Sequence, residues 1–222
     1  HVRMANLAIV GSHSTNGVAE IHSRLLRTVT VKDLAELYPE RFSNKTNGVT
    51  PRRWLLMANP VLSETITEAI GDAWKTDLGQ LRNLQPLADD NAFRDAFRKA
   101  KREAKSRFAD WLKAMSGETV DPDSIFDCQI KRIHEYKRQL LNALRIVVLY
   151  NRLRDNPNLD MPPRTFFFSG KAAPAYRLAK VIIKFINNLA GTIEGEPAMR
   201  GRIKVLFLTD YGERCQGQPK FP

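Results

Sequence analysis

From residue 125 onward the chain alternates short apolar runs with longer amphipathic ones, and this alternation narrows its fold more than any other feature. Residues 125–133 alternate in part like a strand, and 140–153 form a strongly apolar stretch of helical length. Residues 165–168 read as a buried strand, 176–189 as a second amphipathic helix, and Ile203–Leu208 as another buried strand. Strand, helix, strand, helix, strand joined by short loops predicts half of a doubly wound parallel α/β sheet. Ligands of such sheets lie beyond the carboxyl ends of the strands. The loops after Ile133, Phe168 and Leu208 are therefore the places to look for chemistry.

The first half has a different grammar. Met4–Val10 is a short apolar run ending at Gly11-Ser12 and reads as a buried strand running into a loop. Asn16-Gly17 is expected to start a helix carrying Val18, Ile21, Leu25 and Leu26. The polar segment 39–46 is the candidate crossing between domains. Thr50-Pro51 has the chemistry of a helix start, a hydroxyl to cap free N–H groups and proline at the first helical position. Asn59-Pro60 interrupts that helix, and 61–70 resume it as far as Gly71. Asp89-Asp90-Asn91 opens the longest helix, in which Phe93, Phe97, Ala100, Ala104, Phe108, Trp111 and Met115 recur in steps of four and three. They make one apolar stripe, expected to face a core or an interdomain contact rather than a cofactor.

Composition sets bounds on function. At 222 residues the chain has room for one large domain or two smaller ones, and its 43% apolar and 27% charged content is that of a soluble globular protein. No stretch reaches the roughly 18 consecutive apolar residues of a membrane helix. The chain opens on His1 with an apolar run close behind, without a charged leader or cleavage site, and is expected to be a segment with a cut start. Cys128 and Cys215 lie far apart without CxxC or metal-type spacing, so a reduced, cytoplasmic setting and no metal are expected. A net charge of +11 fits either solvated helix faces, as in Arg98, Lys99, Lys101, Arg102, Lys105 and Arg107, or phosphate binding. Composition leaves both open.

Lys131-Arg132-Ile133-His134-Glu135-Tyr136-Lys137-Arg138 is the most informative stretch. Four cations and a histidine fall where the first strand of the sheet gives way to its helix. Side-chain charge and the free N–H groups of a helix start both favour an anion there. Arginine offers a planar fork for two phosphate oxygens, and lysine a compact point charge. A basic surface turn accounts for the charge equally well, but the place at a strand's carboxyl end favours a ligand. Ser169-Gly170-Lys171 is not a P-loop, because the earlier glycine is missing and Ala172 stands where a hydroxyl would hold magnesium. Gly170 there suits a tight turn, and Lys171 a lid over a site or a partner for a carboxylate. His13, between two serines, reads either as a sugar contact or as a hydrogen-bonded structural residue.

Taken in order, these segments resemble one family, the α-glucan (glycogen/starch) phosphorylases. Gly11-Ser12-His13 with Asn16-Gly17-Val18-Ala19 is similar to a glucose-site segment of that family. Asn44-Lys45-Thr46-Asn47-Gly48-Val49-Thr50-Pro51-Arg52-Arg53-Trp54 resembles its domain-crossing motif. Residues 131–139 resemble its phosphate-site motif, and Gly170-Lys171-Ala172-Ala173-Pro174 the strand–loop that follows. The resemblance runs from about Val2 to Tyr211; residues 212–222 depart from the family's pattern, which continues there with a helix start.

The resemblance implies a GT-B-type glycosyltransferase fold of two Rossmann-like domains. Residues 1–46 then end the N-terminal domain, 47–124 form an interdomain helical segment, and 125–222 start the C-terminal domain. It implies phosphorolysis, in which inorganic phosphate cleaves the terminal α-1,4-linked glucosyl unit of a glucan and glucose 1-phosphate forms with retention. It implies pyridoxal 5′-phosphate acting through its phosphate group, with the attachment lysine outside this chain, and a full-length homodimer. By motif, Arg132 and Lys137 hold the substrate phosphate, and Lys131 touches the cofactor phosphate. Tyr136, Asn47, His13 and Val18 line the glucosyl pocket, Trp54 and Tyr211 lie beside the cofactor, and Tyr176 stands near the cleft mouth. The segment by itself is expected to be inactive. Two other readings compete: a nucleic-acid-binding module suggested by the basic excess, and a non-catalytic remnant that binds glucan or a partner. Against the former, the motif lacks interleaved stacking aromatics apart from Tyr136. No nucleic acid and no membrane are therefore expected as partners.

Overall fold

The computed structural model describes residues 2–209, which divide between Thr50 and Pro51 into two compact units. In the first, Met4–Val10 is a helix (α1) and not the expected strand. A short apolar run carries no period that separates the two, and Ala5, Leu7 and Ala8 are good helix formers. Only Ile9 of α1 is buried, and the Gly11 N–H closes the helix on the Leu7 carbonyl at 2.9 Å. The helix expected from Asn16-Gly17 begins later, as α2 (Glu20–Leu25), which runs into a π-helical turn (Leu26–Thr30) and α3 (Lys32–Leu37). Thr15–Gly17 instead forms β1, which pairs in parallel with β2 (Phe42–Asn44), Thr15 opposite Phe42 and Gly17 opposite Asn44. Gly17 is buried so closely that a Cβ there would lie 2.1 Å from Ser23 Oγ. Ile9, Ala35 and Phe42 form this unit's small core.

The second unit opens with a π-helical turn, Arg52–Met57. Pro51 occupies its cap position and no side chain caps it, so the expected Thr50 cap is not made; the hydroxyl stands one residue too early. Asn59 does cap α4 (Pro60–Ile70), accepting from the Leu62 N–H at 3.2 Å, and Gly71 ends it at φ 80°. A 3₁₀ stretch, Leu78–Asp89, leads to α5 (Asn91–Ser116), capped by Asp90, which accepts from the Phe93 N–H at 2.7 Å.

Three strands, β3 (Ile125–Ile130), β4 (Arg164–Ser169) and β5 (Ile203–Leu208), lie side by side in parallel, with β4 in the middle. Helices α6 (Gln139–Asp155) and α7 (Arg177–Glu194) connect them. The pleat sends alternate side chains to opposite faces. Phe166, Phe168, Ile203 and Val205 pack with Ile146, Ala179, Ile182 and Ile186 of α6 and α7. Phe167 and Leu206 point the other way, onto Phe108, Trp111 and Leu112 of α5. Burial on both faces is why β4 reads as an unbroken apolar run. The stripe of α5 therefore has two duties. Ala100 packs with Leu62, Ile66 and Trp74, whereas Phe108 meets the Phe167 ring edge-on at 5.4 Å, and Phe97 and Met115 are exposed. Among the described residues no helix is long and apolar enough to cross a membrane.

Candidate functional site at the carboxyl ends of the parallel strands

Beyond Ile130 the backbone of β3 stays attached to β4. The Lys131 N–H donates to the Ser169 carbonyl at 3.0 Å, and the Ile133 N–H to the Lys171 carbonyl at 3.1 Å. The two loops approach so closely that a Cβ on Gly170 would lie 2.0 Å from the Lys131 carbonyl oxygen, so only glycine fits. Buried Ile133 anchors the loop in the core. The chain then makes one 3₁₀ turn (Glu135–Lys137), opened by His134, whose Nδ1 accepts from the Tyr136 N–H at 3.4 Å. Arg138 takes a left-handed conformation, φ 59° and ψ 34°, which costs a non-glycine residue about 1–2 kcal/mol. It turns the backbone directly into α6.

Three amide side chains, of which only Gln139 falls within the phosphate-site resemblance, hold this loop. Gln139, wholly buried, donates from Nε2 to the Arg132 carbonyl at 3.0 Å and accepts at Oε1 from the His134 N–H at 3.4 Å. Gln129 on β3 donates to the Lys137 carbonyl at 3.0 Å and accepts from Asn142 Nδ2 at 2.9 Å. The available signal was a glutamine at the first position of a strongly apolar helix, where nothing in the local pattern requires one.

The cations are left available. Lys131, Arg132, Arg138 and Lys171 are exposed and make no ion pair or side-chain hydrogen bond with any described residue. Lys137 is half-buried, its Nζ 5.7 Å from the centre of the Tyr136 ring. The one acid of the loop, Glu135, is turned to Tyr176 instead. The Tyr176 hydroxyl donates to Glu135 Oε2 at 2.5 Å and accepts from the Glu135 N–H at 3.3 Å. The carboxylate that accepts this proton holds the Tyr176 hydroxyl above its usual range. Unpaired cations beside the start of a helix suit a phosphate group, whether free or carried by a cofactor.

The other expected site residues are more dispersed. In the first unit the parallel pairing extends beyond the strands: the Lys45 N–H donates to the Gly17 carbonyl and the Asn47 N–H to the Val18 carbonyl, both at 2.9 Å. Val18 and Asn47 are thereby brought together at the carboxyl ends of β1 and β2, both exposed. His13 is exposed in the loop before β1, with no side-chain partner among the described residues. Trp54, half exposed on the turn Arg52–Met57, shares no hydrogen bond or ring contact with the loop 131–138. Tyr211 lies outside the described residues. A cavity of about 420 Å³ opens at the opposite, amino ends of β4 and β5, among Ser124, Arg164, Thr165, Arg200 and Lys204. Arg164 is paired with Asp127 and Lys204 with Glu118, so the cavity offers less free charge than the loop despite its size.

A family model for carbohydrate phosphorylases matches residues 1–216. The glycogen phosphorylase of Synechocystis sp. (strain ATCC 27184 / PCC 6803 / Kazusa) is 52% identical over 221 residues, covering 100% of this chain and 26% of the relative. The brain form from Bos taurus is 49% identical and the muscle form from Mus musculus 50%, each over 210 residues, 95% of this chain and 25% of the relative. The chain thus spans about a quarter of the length of the curated relatives it matches.

Proposed function

Since the chain belongs to the carbohydrate phosphorylase family, we propose that it carries the phosphate site, and part of the glucosyl site, of an α-glucan phosphorylase. In that reaction inorganic phosphate displaces the terminal α-1,4-linked glucosyl unit of a glucan and releases glucose 1-phosphate. The observation that carries this reading is the loop 131–138, cationic, without ion pairs among the described residues, and set at the carboxyl end of β3 beside the start of α6. Arg132 and Lys137 hold the attacking phosphate, and Lys131 the phosphate of pyridoxal 5′-phosphate. Val18, Asn47, His13 and Tyr136 receive the glucosyl unit, and Trp54 and Tyr211 flank the cofactor. The donor set fits the cofactor, since a cluster of free cations suits two phosphate groups. When bound, pyridoxal phosphate supplies a phosphate able to exchange a proton with the substrate phosphate. Two like unit charges 4 Å apart repel by about 4 kcal/mol at an effective dielectric of about 20, and the cations of the loop offset that repulsion.

Parallel strands in each unit support a GT-B arrangement of two Rossmann-like domains, with 1–46 closing one, 125–222 opening the other and 47–124 between them. As a quarter of such an enzyme, the chain is inactive alone. The family resemblance and the cysteine usage support a cytoplasmic, homodimeric full-length protein without nucleic-acid or membrane partners.

The test is made in the full-length enzyme that carries these residues. Arg132→Ala and Lys137→Ala should each slow phosphorolysis by on the order of a hundredfold. The double variant should lose less than the product of the two, because both cations act on one anion. Lys131→Ala should be partly rescued by added pyridoxal phosphate, and the other two should not. Near-normal glucose 1-phosphate production by the Arg132 and Lys137 variants overturns the reading. Loss of nucleic-acid affinity with turnover retained would replace it with the nucleic-acid reading.

A further inference from the structure

We infer that Gln139, with Gln129 and its partner Asn142, positions Arg132 and Lys137 for the phosphate, an inference that rests on the phosphate reading above. Arginine and lysine side chains are long, and those of this loop gain no ordering from ion pairs with the described residues. Their aim then depends on how firmly their own backbone is held. Beyond Ile133, whose N–H still donates to the Lys171 carbonyl, the loop has no partner strand, and its remaining backbone support is a single 3₁₀ turn and the bond from the Glu135 N–H to the Tyr176 hydroxyl.

The backbone carbonyls of the two residues assigned to the substrate phosphate are the ones that accept from glutamine side chains. Gln139 takes the Arg132 carbonyl and Gln129 the Lys137 carbonyl, each at 3.0 Å. Each glutamine also uses its other end, Gln139 for the His134 N–H and Gln129 for Asn142 Nδ2, so neither amide can rotate without losing two bonds. The anchors are rigid elements: Gln129 lies on β3 in register with Phe168, and Gln139 and Asn142 stand in the first turn of α6. The loop is therefore triangulated between strand and helix at the two points from which the cations project. Gln139 has no exposed surface at all, which makes both of its bonds obligatory. An amide suits the position because it both donates and accepts; a carboxylate only accepts, and a thioether of the same length can donate to neither carbonyl.

The experiment measures phosphate KM, glucan KM, kcat and thermal midpoint in the full-length enzyme for Gln139→Met, Gln129→Met and Arg132→Ala. A displacement of about 1 Å costs on the order of a hundredfold in a preorganised site, so a partial one should raise phosphate KM roughly tenfold. Glucan KM should stay within about twofold in both glutamine variants. A merely structural role lowers the thermal midpoint and the yield of active enzyme but leaves both KM values unchanged, and that result overturns the inference. If Gln139→Met fails to fold, the half-buried Gln129 decides the matter by the same comparison, acting through Lys137. Unchanged phosphate KM in the glutamine variants alongside a raised value in Arg132→Ala sinks the positioning role and leaves the phosphate reading standing. An Arg132→Ala variant with both phosphate KM and kcat unchanged overturns both.

Discussion

A Cβ at position 170 would lie 2.0 Å from the Lys131 carbonyl, and the atom it meets is backbone, which cannot swing aside. Gly170→Ala should push the loops after β3 and β4 apart and weaken the Lys131–Ser169 backbone bond. The expected loss is about 1–3 kcal/mol, read as a shift of the urea midpoint, with phosphate affinity falling alongside it. An alanine variant with wild-type stability would mean that the loops are slack. At this scale the sequence is uneven. The cations of 131–138 are visible as a cluster, and Gly170 as a turn residue, because charge and φ freedom are properties of a residue by itself. The buried role of Gln139 is not visible, since a polar residue in a string reads as surface. Its burial comes from α6 docking on the sheet, and its partners are carbonyls, which every residue has.

Among the elements, α5 shows how one period can serve two neighbours. Its steps of four and three mark an apolar face but not that Ala100 meets α4 while Phe108 and Leu112 meet the sheet. On its outer side Arg102 grips Asp123 with two bonds, Nε to Oδ1 at 2.7 Å and Nη2 to Oδ2 at 2.9 Å, tying α5 to the turn before β3. The bond from Arg102, reinforced by its charge, holds the Asp123 carboxyl below its usual range. A lowered folded value means that the linked stability is present above the unfolded carboxylate range and is lost as pH falls through the folded value. Wild type should therefore resist urea better than Asp123→Asn at neutral pH, with the gap closing below pH about 4 and narrowing in high salt. A gap of the same size at every pH would show that the ion pair is not its source. The α1 expectation failed for a related reason. A seven-residue run with six apolar residues is compatible with strand or helix, and neither strand of the unit pairs with it.

At the scale of the whole molecule, the described residues leave both sides of the sheet open. Among the described residues β3 and β5 each have a single strand neighbour, both at β4. Beside β3, α6 shows Leu141, Leu144 and Val148 to solvent, three apolar residues on one stripe. Free edges and exposed apolar stripes promote association. The 222-residue chain expressed alone should sediment as a mixture that grows heavier with concentration, and Leu144→Lys with Val148→Lys should shift it toward monomer. A wild-type chain that stays monomeric at high concentration would contradict this.

Legible in residue order alone are the succession of elements from Ile125 to Leu208, the burial of β4, the helix break at Asn59-Pro60, the helix start at Asp89-Asp90-Asn91, and the place of the cationic loop at a strand's carboxyl end. All of these follow from hydrophobic period and from local backbone chemistry, which act over a few residues. That Thr15–Gly17 is a strand emerges only from long-range pairing, because its partner, Phe42–Asn44, lies far along the chain. The packed fold also sets Glu135 against Tyr176, so that the nearest acid makes no ion pair with the loop's cations, and brings three amides to hold that loop in place. Hydrogen bonds between distant side chains and backbone carbonyls have no period and no composition, and they come into being only when the elements carrying them are packed.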